Sequence, residues 1–265
     1  MSARRAAGMV WFVGAGPGDP DLITVKGRDL LARADLILYA GSLVPPAMLE
    51  GARQGARLKD SSALTLEETH ALLSGAAWAG ETAVRLHTGD GSLFGAMREQ
   101  KILLDAEGIP NAVVPGVSAA FAAAAAAGVS FTVPGAAQSL IFARLHGRTP
   151  VPQGQRVRDY ARHGGSMAVY LAAGDPERLA AELRAGGLPE QTPVVVAGRV
   201  GQPEQRLERG VLADLARILS RECFARQTIV LILPGESLPG SPSRLYAGDF
   251  SHGYRNGTGP PAAGR

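Results

Sequence analysis

The chain has 265 residues, 46% of them apolar and 19% charged, with a formal net charge of +3 and one cysteine, Cys223. That length allows one large or two modest domains with a sizeable core. A lone cysteine excludes a disulfide framework and a cysteine-built metal site, and the scattered basic residues argue against nucleic acid.

The first elements alternate. Val10–Val13 reads as a short apolar strand that ends in the glycine loop "GAGPGDP" (Gly14–Pro20). Helical spacing follows over Thr24–Ala34, then a strand at Leu36–Tyr39. Thr65–Ala77 carries a capping signature, because Glu68 stands three residues after Thr65. Thr82–His87 is a strand, Ala96–Glu107 a helix, and Asn111–Gly116 a strand that stops at Pro115. Such alternation predicts an α/β fold with a mostly parallel sheet.

The texture changes near Val117, where the domain boundary is expected. The parts read as 1–117, 118–235 and a tail over 236–265, whose last ten residues look disordered in composition. An alanine-rich helix runs from Ser118 to Ala127. Strands follow at Ser139–Arg144, Ser166–Ala172, Thr192–Val200 and Gln227–Leu233, with helices at Val157–Arg162, Glu177–Ala185 and Val211–Arg221. "EQRLERG" (Glu204–Gly210) could add an antiparallel strand, so a second α/β unit with a mixed sheet is expected.

The apolar run Ala119–Ala137 is mostly alanine, with two glycines and a proline, and is too weakly hydrophobic for a membrane span. The first residues lack the long apolar core of a signal peptide, so a soluble cytoplasmic protein is expected. Only Lys26, Lys59 and Lys101 are lysines, and the other basic residues are arginines. Composition bias explains this as readily as an anionic ligand, which guanidinium groups would suit.

Ligands of open parallel sheets bind beyond the carboxyl ends of the strands. "GAGPGDP", "TGDGSLFG" (Thr88–Gly95) and "PGVSAA" (Pro115–Ala120) all fall at that edge. The first departs from the dinucleotide pattern. Gly14 and Gly16 fit the pattern, but Asp19 stands where its third glycine belongs. Pro17 removes an N–H that should hold a diphosphate, and the strand ending at Tyr39 supplies no acid for a ribose. The loop therefore favours a nucleoside without phosphates.

"VGAGPGDPDLITVKG" (Val13–Gly27), "HTGDGSLFG" (His87–Gly95) and "VPGVSAAFAAAAAAG" (Val114–Gly128) resemble the three signatures of the tetrapyrrole methylases. "GRTPVP" (Gly147–Pro152) and the tail "RLYAGDFSHGYR" (Arg244–Arg255) resemble the branch acting at C-11 of precorrin-4. The resemblance implies two α/β domains, with S-adenosyl-L-methionine in the trough between them and S-adenosyl-L-homocysteine as product. It implies a tetrapyrrole substrate bearing many carboxylates, a place in cobalamin (porphyrin-type) biosynthesis, and a homodimer. Carried over by position, Pro17, Thr88, Gly89, Asp90, Leu93, Ser118, Ala119, Leu171, Val200 and Thr228 would hold the cofactor, mostly through main-chain groups. Asp90 could instead simply cap its own turn. Arg144 and Arg148 would meet substrate carboxylates, unless they are solvated loop arginines. The family's usual Gly-Asp-Pro is Gly89-Asp90-Gly91 here, which implies a less fixed loop.

No residue is identified as a catalytic base. His87 is conceivable in that role but reads better as structural, and Lys26 and Arg85 read as surface or strand-end charges. The five histidines show no metal spacing. Three alternatives remain: a relative acting at another macrocycle carbon, a dinucleotide-dependent oxidoreductase, and a tetrapyrrole carrier.

Overall fold

A computed structural model describes residues 8–147, 149–238 and 243–258. Two compact units divide the chain: 1–126 with 197–206, and 127–196 with 207–265. The alanine-rich helix thus belongs mostly to the first unit, past the expected boundary at Val117, and a short later segment returns to that unit.

The first unit contains β1 (Met9–Gly14), α1 (Val25–Leu31), β2 (Leu36–Tyr39), β3 (Arg57–Asp60), α2 (Leu66–Trp78), β4 (Thr82–His87), α3 (Met97–Ala106), β5 (Asn111–Val114) and most of α4 (Ala119–Ala127). Its strands pair in parallel in the order β3-β2-β4-β1-β5. Alternate strand residues serve opposite faces. Val13, Ile37, Val84, Leu86 and Val114 bury against Leu30 and Leu31 of α1. Val10, Phe12, Leu36, Leu38 and Ala83 bury against Leu73 of α2 and Leu104 of α3. Full burial of each large side chain is worth about 1.5–3 kcal/mol, so a sheet apolar on both faces needs helices on both. The capping box forms as its spacing predicts: Thr65 Oγ1 accepts from Glu68 N (3.2 Å), and Glu68 Oε2 accepts from Thr65 N (2.8 Å).

Two features depart from the sequence reading. β3, "RLKD", was not anticipated. All four of its residues are exposed, so no apolar alternation marks it, and main-chain pairing to β2 alone makes it a charged edge strand. Arg85 is no surface charge; only 9% of it is exposed. Its Nε donates to Gln100 Oε1 (3.1 Å), and its Nη1 donates to Ser61 Oγ (2.8 Å) and Leu38 O (3.3 Å). Burial lowers its pKa to about 10. The guanidinium joins β4 to α3, to the end of β2 and to the loop after β3. Arg85→Met leaves three buried acceptors short of a donor, so a loss of about 2 kcal/mol in urea unfolding is expected.

The second unit holds β6 (Leu140–Arg144), α5 (Val157–Ala161), β7 (Ser166–Tyr170), α6 (Pro176–Ala185), most of β8 (Pro193–Gly198) and of β9 (Arg206–Val211), α7 (Leu215–Leu219) and β10 (Thr228–Ile232). The order is β6-β7-β10-β8-β9. β6 runs parallel to β7 and β10 antiparallel to it, so the sheet is mixed. Met167, Val169, Val194, Val196, Val230 and Ile232 share one core with Val157 of α5, Leu179 and Leu183 of α6, and Ile218 of α7. Among the described residues, no helix is long and apolar enough to cross a membrane.

Candidate active site

Strand order assembles the site. β1 lies between β4 and β5, so the loops after these strands are neighbours at one sheet edge. The first two join main chain to main chain. Ala15 N donates to His87 O (2.7 Å), Gly16 N to Gly89 O (3.1 Å) and Gly89 N to Gly16 O (2.7 Å). Glycine is required at two of these positions. Gly89 adopts φ +61°, and a Cβ on Gly116 would lie 2.1 Å from Gly89 O and 2.8 Å from Gly14 Cα.

Asp90 closes the arrangement. Its Oδ2 accepts from Gly116 N (2.8 Å), and its Oδ1 accepts from Ser92 N (2.9 Å) and from Ser92 Oγ. Burial works to raise its pKa, but these hydrogen bonds outweigh it and leave the carboxyl below its ordinary value. Ser118 is buried, and its Oγ accepts from Ala120 N (3.2 Å) at the start of α4.

The segment that carries Val200, expected in the second unit, completes this group. Residues 197–206 return to the first unit and back onto its first loop. A Cβ on Gly201 would meet Asp19 N at 3.0 Å and Pro17 Cγ at 3.2 Å. Val200 is 5% exposed. A cavity of about 310 Å³ opens there, lined by Asp19, Leu22, Val117, Phe121, Val200 and Gln205 among others. "AGRVG" (Ala197–Gly201) carried a signal, being a fourth glycine turn after an apolar strand.

The first unit therefore gathers Pro17, Thr88, Gly89, Asp90, Leu93, Ser118, Ala119 and Val200 around its loops. Leu93 joins through its N–H to Asp90 O (3.1 Å). His87 is 5% exposed, and its Nε2 is buried with no hydrogen-bond partner. Burial, helped by the charge of Arg85 and opposed by that of Asp90, lowers its pKa to about 4. It packs as a neutral ring under the loop.

In the second unit, Arg144, Leu171 and Thr228 share one sheet edge. Arg144 pairs with Tyr170 at the end of β7, Leu171 follows directly, and Thr228 opens β10, which runs antiparallel to β7. Thr228 Oγ1 shares its proton between Phe224 O (2.9 Å) and Arg226 O (3.1 Å). Arg144 donates to Thr149 O (3.0 Å) and Pro150 O (2.8 Å) and so holds its own loop. Arg148 lies outside the described residues. Leu171 is 68% exposed at φ +55°, a costly conformation for a branched side chain. Leu171→Gly is expected to raise stability by about 1 kcal/mol, read from the urea midpoint.

The residues suit an adenosyl donor better than a dinucleotide. Asp19 and Asp90 place carboxylates in the first two loops, where a diphosphate would be repelled and a sulfonium would not. Glycine at these positions puts no side chain between a ligand and the main chain. Among the described residues, no group of three or more His, Cys, Asp or Glu could hold a metal ion.

Residues 9–216 match the family model of the Tetrapyrrole (Corrin/Porphyrin) Methylases. The chain is a tetrapyrrole methylase. The cobalt-precorrin-4 C(11)-methyltransferase of Methanocaldococcus jannaschii is 39% identical to this methylase over 251 residues, which cover 93% of this chain and 95% of the relative. The precorrin-4 C(11)-methyltransferase of Pseudomonas aeruginosa is 41% identical over 254 residues, covering 94% and 99%. The X-ray structure of a cobalt precorrin-4 methyltransferase superposes on the methylase with a TM-score of 0.82 at 38% identity, over 84% of this chain and 94% of that one. The uroporphyrin-III C-methyltransferase of Thermus thermophilus, solved with S-adenosyl homocysteine, gives 0.72 at 28% identity, over 87% and 100%.

Proposed function

We propose that this methylase transfers a methyl group from S-adenosyl-L-methionine to C-11 of precorrin-4 or its cobalt form, in cobalamin biosynthesis. The observation that carries the reading is the joining of three glycine loops at one sheet edge, in a chain whose near full-length relatives bear that name. S-adenosyl-L-methionine supplies an activated sulfonium methyl, so the protein's task is to orient rather than to activate. Orientation of this kind can lower a barrier by up to about 7–11 kcal/mol. Pro17, Thr88, Gly89, Leu93, Ser118, Ala119 and Val200 are assigned to the donor, chiefly through main-chain groups. Leu171, Thr228, Arg144 and Arg148 are assigned on the resemblance, the arginines to substrate carboxylates. A cytoplasmic homodimer belongs to the same proposal.

Incubation with precorrin-4 and an isotopically labelled methyl donor tests it. Carbon NMR is expected to place the label at C-11. Label at another carbon would identify a different family reaction, and tetrapyrrole binding without turnover would identify a carrier.

A further inference from the structure

Both carboxylate oxygens of Asp90 are taken up by the protein itself. Oδ2 reaches 26 residues along the chain to Gly116 N, and Oδ1 holds the main chain and hydroxyl of Ser92. Gly116 passes closest to Gly89 O and Gly14, so the bond fixes the most crowded contact of the three loops. The loop that Asp90 anchors is also joined to the first loop through Gly89 and Gly16, but its bond to the third loop comes from the Asp90 carboxylate. It carries Gly89 at φ +61°, Phe94 at φ +54° and Ala96 at φ +49°, and a glycine at position 91. Left-handed backbone at non-glycine residues persists only where the surroundings over-determine it.

We propose that Asp90 is a positioning residue, whose carboxylate ties the second loop to the third and preforms the main chain around Gly89, without touching donor or substrate. The proposal rests on the methylase reading above. An ionised acceptor makes the stronger charge-assisted bonds such a tie needs.

Three measurements on the full chain test it: amide exchange of the ligand-free protein, and titrations with S-adenosylhomocysteine and with methylthioadenosine, which lacks the amino-acid arm. In Asp90→Asn, exchange at Gly116 N is expected to quicken about tenfold, and both thioethers are expected to weaken by the same factor, again about tenfold, or 1.4 kcal/mol. Weakening of S-adenosylhomocysteine alone, or of both with Gly116 exchange unchanged, would make Asp90 a ligand contact and overturn the proposal. Unchanged affinity for both would overturn it too. Should Asp90→Asn not fold, Ser92→Ala removes one of the three bonds and is expected to show the same pattern, smaller. If wild-type protein binds neither thioether, the methylase reading fails with it, while the exchange result still decides whether the tie exists.

Discussion

Gly116→Ala is expected to destabilise the protein by about 3 kcal/mol or more and to abolish binding of S-adenosylhomocysteine. The added carbon would stand 2.1 Å from Gly89 O and 2.8 Å from Gly14 Cα. Both neighbours are main chain at the ends of paired strands, so neither can rotate away as a side chain would. Relief requires β1, β4 and β5 to part at the edge where their loops join, and the loss of stability and of binding should appear together. Gly75→Ala in α2 is the control. A Cβ there meets nothing within 4 Å, and a helical glycine gives way to a better helix former. A gain of roughly 0.5–1 kcal/mol is expected, with binding unchanged. Urea midpoints and thioether titration read both variants. A Gly116→Ala protein as stable as wild type would mean that the loops do not approach as closely as described.

The second large effect is a pH dependence. His87 holds a folded pKa of about 4 because burial, with Arg85, disfavours the imidazolium. Unfolding restores the ordinary value near 6.5. Between these values the unfolded chain binds the proton and the folded one does not, so stability falls as pH drops from 6.5 towards 4. The loss attributable to this group is about 3 kcal/mol across that window, and nothing changes above it. His87→Leu removes the titrating group. Wild type should therefore lose about that much more stability than the variant between pH 7 and pH 4, measured by urea unfolding. Equal losses would show that the imidazole is not held neutral in the fold.

Much of the fold is readable from local pattern, because alternation and capping are short-range. Thr65 and Glu68 announce the start of α2, and the strands ending in Gly14, His87 and Val114 lead into the glycine loops. The rule for parallel sheets then places those loops at one edge. Strand order is not local, and only with β1 between β4 and β5 do the loops touch. β3 carries no apolar alternation because three of its four exposed residues are charged and Leu58 stands alone. Arg85 was misread for the opposite reason, since its burial depends on Gln100, Ser61 and Leu38, which are distant in sequence. The return of residues 197–206 to the first unit is likewise long-range. Asp90 had two readings, ligand contact and turn cap. Its bonds to Ser92 belong to the second, and its bond to Gly116 belongs to neither.

The most direct test of a phosphate-free adenosyl donor at the glycine loops is calorimetric titration of the full chain with S-adenosylhomocysteine. Saturable heat, one thioether per chain, is the predicted result. Absence of any heat with the thioether at millimolar concentration would contradict the account.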